Sequence, residues 1–327
     1  MKSINQYIQE KLVIKKRKTL DYNYFPGTKE ELKGIIKKRI KQEGNEVDLN
    51  DIDVSNITDM TSLFEGTNFN GNISKWDVSN VKDMKRMFFM CENFNQDISN
   101  WNVSNVTNMQ KMFIYCSNFN KDISQWDVSN VIDMHDMFNS CYNFNKDISN
   151  WDVSNVIDME GMFYNCKAFN QDISNWNVSN VKDMTEFLYG CNTFNQDISK
   201  WDVSNVINMF GMFNQCNKFN KPLNDWNVSN VTNMSDMFNG CHQFNQDISK
   251  WDVSSVVNMP DMFVGCNKFN QDISNWDVSN VTDMYAMFSG CKSFNQDLSN
   301  WDVSNVINYY NIFLDCPIEE KYEPKFK

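Results

Sequence analysis

The sequence predicts an α/β solenoid, a stack of strand–short helix repeats opened by a helical N-terminal cap. Three observations predict it. A phrase of about 25 residues recurs: its Trp falls at Trp76, Trp101, Trp126, Trp151, Trp176, Trp201, Trp226, Trp251, Trp276 and Trp301, and its Cys runs from Cys91 to Cys316 at the same interval. Self-similarity at a fixed period marks a stacked architecture rather than a single central core. Within the phrase, Trp-Asx-Val alternates apolar and polar residues, as in a half-buried strand. Further on, Met109, Met112, Phe113 and Cys116 sit at i, i+3, i+4 and i+7, the spacing of one helical face.

Taken in order, the chain begins with a basic segment. Residues 1–48 hold 12 Lys+Arg against 7 Asp+Glu, a charge of +5, which leaves −17 on the rest of a chain of net charge −12. An acidic body argues against a nucleic-acid partner, which needs a basic stripe to displace counterions. Ile4, Tyr7, Ile8 and Leu12 share a helical spacing, and Lys15-Lys16-Arg17-Lys18 reads as a solvated helix end. Met1-Lys2-Ser3-Ile4-Asn5-Gln6 leads into mixed polar residues rather than an apolar leader core, so a cytoplasmic location is expected. No apolar run reaches membrane-spanning length.

A second helix is predicted over residues 28–43. Thr28 followed by Glu31 reads as a capping box, Leu32, Ile35, Ile36 and Ile40 line one face, and Gly44 suits the position after the last turn. This helix would cover the first apolar edge of the stack, with its basic face outward. The solenoid is expected over 49–316, about eleven repeats, followed by a charged, frayed tail over 317–327.

The first copy is imperfect: Ile52 stands for Trp and Thr67 for Cys. In the full copies, an Asp or Asn recurs just before the first Met (Asp83, Asn108, Asp133 and onward), which predicts a helix N-cap. Pro260, directly after Met259, fits a helix's first turn. The ten Cys stand in register, one per full copy, and are expected to be free core thiols rather than a disulfide framework.

No chemistry-bearing motif is found. His135 and His242 fall at different, variable places in their copies, which suggests surface positions. No metal-ligand spacing, phosphate loop or cofactor motif occurs, so no metal, no cofactor and no catalytic residue are expected. A glycan-cleaving enzyme on a solenoid would need non-repeated carboxylates converging where the repeat breaks. Residues 221–225, the strongest break, supply only Asp225.

Binding is expected on the strand face instead. One column there is Lys75, Asn100, Gln125, Asn150, Asn175, Lys200 and Lys250; beside it run Asp77, Asn102, Asp127, Asp152, Asp202 and Asp252. A varied polar column on a rigid stack suits recognition of a protein partner by a monomer. The acidic column could instead hold Ca²⁺ or a basic partner, or be simply solvated. A second acidic column, Asp97, Asp122, Asp147 and onward, reads as turn chemistry.

The pattern Ile-x-x-Trp-x-Val, then Val, Met and Phe-x-x-Cys-x-x-Phe, with WDVSNVTDM at 276–284 and FNQDISNWDVSNV at 269–281, resembles the bacterial surface-protein repeat related to the BspA-like leucine-rich repeats. The resemblance covers about residues 50–316. It implies a leucine-rich-repeat-like, right-handed stack with parallel strands. It also implies the cell surface as location and adhesion or protein interaction as function, and it brings no catalytic residues.

Overall fold

A computed structural model describes residues 22–327. The residues Ile4, Tyr7, Ile8, Leu12 and Lys15–Lys18 lie outside the described part. The repeats stack in register, but not as strand–helix units. Among the described residues there is one α-helix, α1 (Lys29–Glu43), one short 3₁₀ turn (Glu320–Tyr322) and no extended strand. The predicted α/β solenoid is therefore corrected to a stack of coils built from tight turns, each joined to the next by an isolated parallel bridge.

Those bridges run from Asp59↔Asp83 through Asp133↔Asp158 to Asp283↔Asn308. They fall on the Asp/Asn positions taken as helix N-caps. Most of these side chains instead close an Asx turn, as where Asp133 Oδ1 accepts the His135 N–H at 2.9 Å; Asn258 cannot, because Pro260 two residues on has no N–H. Trp-Asx-Val keeps its alternation, with Trp and Val buried and Asx outward, yet pairs with no neighbouring strand. The Trp126 N–H turns back onto the Ile123 carbonyl (3.1 Å), and the Val131 N–H onto Val128 (2.9 Å).

The predicted short helix fails for a definable reason. Along 134–140, alternate N–H groups leave the coil. Met134, Asp136, Phe138 and Ser140 donate to the carbonyls of Asp158, Glu160, Met162 and Tyr164 in the next copy. Of the N–H groups between them, that of His135 bonds Asp133 Oδ1, and those of Met137 and Asn139 close four-residue β-turns onto the carbonyls of Met134 and Asp136. Asp136 (φ 55°) and Ser140 (φ 59°) adopt the left-handed conformation, and the corresponding positions do so in every copy. A left-handed residue every fourth position is incompatible with an α-helix. Two helical turns alone would also bear a nucleation cost that pairing with a neighbour avoids.

The inward side chains nevertheless form the expected ladders. Met, Phe, Val, Ile and Cys of copy after copy are buried in one continuous core, with Phe313 and Cys316 of the last copy only partly so. The Trp101 and Trp126 rings lie 6.5 Å apart and parallel within 1°. Phe113 and Phe138 stack at 5.6 Å. Where Phe187-Leu188 replaces Met-Phe, that Phe ladder turns edge-on, with Phe163 and Phe187 at 81°. The indole of Trp151 donates to the Ile123 carbonyl (3.1 Å), which also receives the Trp126 N–H, so one acceptor ties two copies. The cysteines are free, and each buried thiol donates to a carbonyl of the copy before, as Cys141 does to Phe113 (3.0 Å). In the first copy the Thr67 hydroxyl takes the thiol's place, bonded to the Phe64 carbonyl at 2.7 Å.

Helix α1 forms as read from the sequence. Thr28 accepts the Glu31 N–H (3.2 Å), and Glu31 reaches back to the Gly27 N–H (2.7 Å). Leu32 and Ile36 are buried. Its basic residues do not all face outward. Lys29 pairs with Asp59 (2.7 Å), Lys33 donates to the Ser62 carbonyl (2.9 Å) and Arg39 pairs with Asp51 (2.9 Å). At the other end the tail is packed rather than frayed. The Glu319 N–H bonds Asn295 Oδ1 (3.0 Å), the Leu298 N–H bonds the Tyr322 carbonyl (2.8 Å), and Phe326 stacks on Tyr309 at 4.3 Å. No described helix is long and apolar enough to cross a membrane.

Candidate interaction surface

Each buried Trp holds an outward residue on either side of it. Before it stand Lys75, Asn100, Gln125, Asn150, Asn175, Lys200 and Lys250, all exposed. After it stand Asn102, Asp127, Asp152, Asp202 and Asp252, exposed, and Asp77, half-buried. The two columns therefore run side by side along the stack, as expected, although no strand underlies them. What keeps them in register is the Trp indole bond to the preceding copy and the Trp ring stack.

The acidic column is not simply solvated. Asp127 Oδ1 accepts both the Ser129 N–H (3.1 Å) and its hydroxyl (2.6 Å), and Asp252 does the same with Ser254 (3.1 and 2.6 Å). Asn102 substitutes with equivalent geometry to Ser104 (3.1 and 2.7 Å). This explains why Asp and Asn interchange here: the turn uses one acceptor oxygen, which both possess. The serine hydroxyl, then its N–H, holds the carboxyls of Asp152 and Asp202 below their ordinary value. The second acidic column makes the same turn, with Asp97 Oδ1 on the Ser99 N–H (3.0 Å) and Asp122 Oδ1 on Ser124 (2.9 Å).

A third column escaped the sequence reading. The Asn after each buried Phe builds a carboxamide ladder: Asn95 Oδ1 accepts the Asn120 N–H (3.1 Å), and Asn120 Oδ1 accepts the Asn145 N–H (3.1 Å). An open groove beside it is lined by Asn70, Asn95, Asn118, Asn120 and Asn143. The signal was present in the sequence as the Phe-Asn pair that recurs in almost every copy. A fourth column, Ile132, Ile157, Ile207 and Val257, is exposed immediately before the bridge residues.

The described surface thus offers parallel columns of cationic, amide, carboxylate and aliphatic groups on a frame fixed by backbone and indole hydrogen bonds. Such a surface can present a repeating chemical pattern to an elongated partner. Three overlapping stretches of the chain, 31–151, 115–226 and 209–323, match the family model described as "Mycoplasma protein of unknown function, DUF285". No curated protein matches the chain.

Proposed function

The chain belongs to this DUF285 family of unknown function, and from that premise we propose that it is a non-enzymatic scaffold that binds a protein partner along its Trp-flanking columns. The observation that carries the reading is the contrast between frame and column. Trp, Ile and Ser recur with the same bonds in copy after copy, whereas the residue before Trp changes among Lys75, Asn100, Gln125 and Lys200 while staying exposed. A rigid stack with a chemically varied outer column is suited to recognition without chemistry. The likeness of WDVSNVTDM to BspA-like surface repeats supports the same reading and favours adhesion as its setting.

The test compares the intact chain with a variant carrying Lys75→Glu, Lys200→Glu and Lys250→Glu, each as bait in host lysate and in the surface fraction. A protein captured by the first is purified and titrated against both. A dissociation constant raised at least tenfold by the triple change supports the column as the binding face. Equal affinity overturns it. The fraction that supplies the partner separates an internal scaffold from an adhesin.

A further inference from the structure

Five side chains from three consecutive copies meet around His135. Its Nε2 lies 2.9 Å from Asp136 Oδ2. Asp136 is itself held by Lys111 Nζ (3.0 Å) and Asn139 Nδ2 (2.6 Å). Its carboxylate occupies space left by Gly161 in the next copy: a Cβ there would collide with Asp136 Oδ1. The Asp136 N–H to the Glu160 carbonyl (2.8 Å) keeps the two copies in register at this point. Asp136 thus accepts from Nε2–H and sets the ring's tautomer and tilt.

With Nε2 protonated toward Asp136, the other nitrogen of a neutral ring carries a lone pair. Nδ1 faces Glu160 Oε2 at 3.3 Å and Asp158 Oδ1 at 3.9 Å. One ligand atom from each of His135, Asp158 and Glu160 lies within 4.8 Å of the others. A lone pair aimed at two carboxylates is unfavourable unless a cation stands between them. A proton on Nδ1 serves the Glu160 contact alone; Asp158 Oδ1, which also accepts the Glu160 N–H (2.9 Å), stays beyond hydrogen-bond length of the ring. A metal ion at about 2 Å from each ligand serves all three.

The surrounding column points the same way. At two Asp–Asn steps of the bridge position a carboxamide relieves the charge: Asn108 Nδ2 donates to Asp83 Oδ2 (3.3 Å), and Asn308 Nδ2 to Asp283 Oδ2 (3.2 Å). Around His135 it reads Asp133, Asp158, Asp183, with no carboxamide to donate.

We propose that His135 Nδ1, Asp158 and Glu160 form a binding site for a divalent transition metal of the Zn²⁺ class, with Asp136 as the positioning residue behind the histidine. One imidazole and two carboxylates leave the remaining coordination positions to water. The nitrogen ligand favours Zn²⁺ or Co²⁺ over Ca²⁺ or Mg²⁺. A carboxylate behind the ligating histidine is the usual way a protein fixes such a ring. The site is independent of the partner-binding reading.

The test titrates ZnCl₂ into the intact, reduced chain by calorimetry, in a background with Cys316→Ser to remove the one half-buried thiol. Co²⁺ absorption serves as a second readout. One ion per chain is expected. His135→Gln and Glu160→Gln should each weaken binding at least tenfold, Asp136→Asn by about 10–100-fold. His242→Gln, whose ring sits against the Gly265 carbonyl (2.9 Å), should leave it unchanged. Circular-dichroism melts confirm that each variant is folded, and either ligand variant suffices for the comparison. No binding to the parent chain overturns the proposal. So does binding that survives both ligand changes, or a Co²⁺ spectrum with thiolate charge-transfer bands.

Discussion

Asp261 shows how the stack taxes individual side chains. It occupies a left-handed backbone position (φ 57°). Burial, then the charges of Asp236 and Asp283, push its carboxyl up to about 6. Its folded value lies above its unfolded one, so the ionised group opposes folding at neutral pH, and the penalty fades as pH falls below about 6. Asp261→Asn keeps a residue that tolerates the left-handed region. It should stabilise the chain at neutral pH by about 1 kcal/mol, after discounting a half-exposed site for solvent screening. Urea titrations at about pH 7.5 and about pH 5 check this: the gain should shrink at the lower value. The cysteines make a second test. Burial pushes the Cys91 thiol up to about 11, and desolvation raises those deeper in the stack further. Cys316 alone is only half-buried. A thiol reagent should therefore modify one cysteine in the native chain and the other nine only on unfolding. Rapid native reaction of several thiols would mean that the stack opens.

Among the elements, the asparagine ladder substitutes for a sheet. Asn145 Oδ1 accepts both the Asn170 N–H (2.9 Å) and Gln171 Nε2 (2.8 Å). Asn145→Ala leaves a partly buried backbone donor without its acceptor, at a cost of about 1–3 kcal/mol. Asn145→Asp keeps the oxygen and should cost less. Chemical unfolding of the two variants against the parent chain checks the order, and equal losses would show that the ladder's geometry, not its acceptor, matters. The same logic separates the turn segment at 134–140 from a helix. Both conformations bury Met134, Met137, Phe138 and Cys141. What differs is where the N–H groups go, and here four of the seven cross to the next copy.

At the scale of the whole molecule, the charged turns should give stability two opposing pH dependences. Backbone N–H bonds from the serine two residues on hold Asp97, Asp122, Asp172 and Asp197 below the ordinary carboxylate range. The folded chain binds protons there less readily than the unfolded one. Their contribution is present above about pH 4 and lost as pH falls further. Asp236 and Asp261 act oppositely: burial raises both, so they cost stability at neutral pH and release it as they protonate. The melting temperature should therefore peak near about pH 5 and fall toward both about pH 8 and about pH 3. Calorimetry across that range tests it. A steady rise to pH 8 would show that the buried carboxylates contribute nothing measurable.

The repeat period, the inward set of Trp, Val, Met, Phe and Cys, and helix α1 with its Thr28 cap were all legible in the residues. Periodicity reports which way side chains face, and burial decides that locally. Two exposed columns beside each Trp were legible for the same reason. The conformation of the backbone was not. Met109, Met112, Phe113 and Cys116 fit a helical face and a run of left-handed turns equally well, because the pattern does not say whether an N–H bonds within its own coil or to the next. That choice belongs to the stacked neighbour, as does the packing of the tail on Asn295 and Tyr309. The surroundings of His135 likewise arise only when residues one full period apart are laid side by side. Its alignment with Glu160, and the space Gly161 leaves for Asp136, exist in the tertiary structure alone.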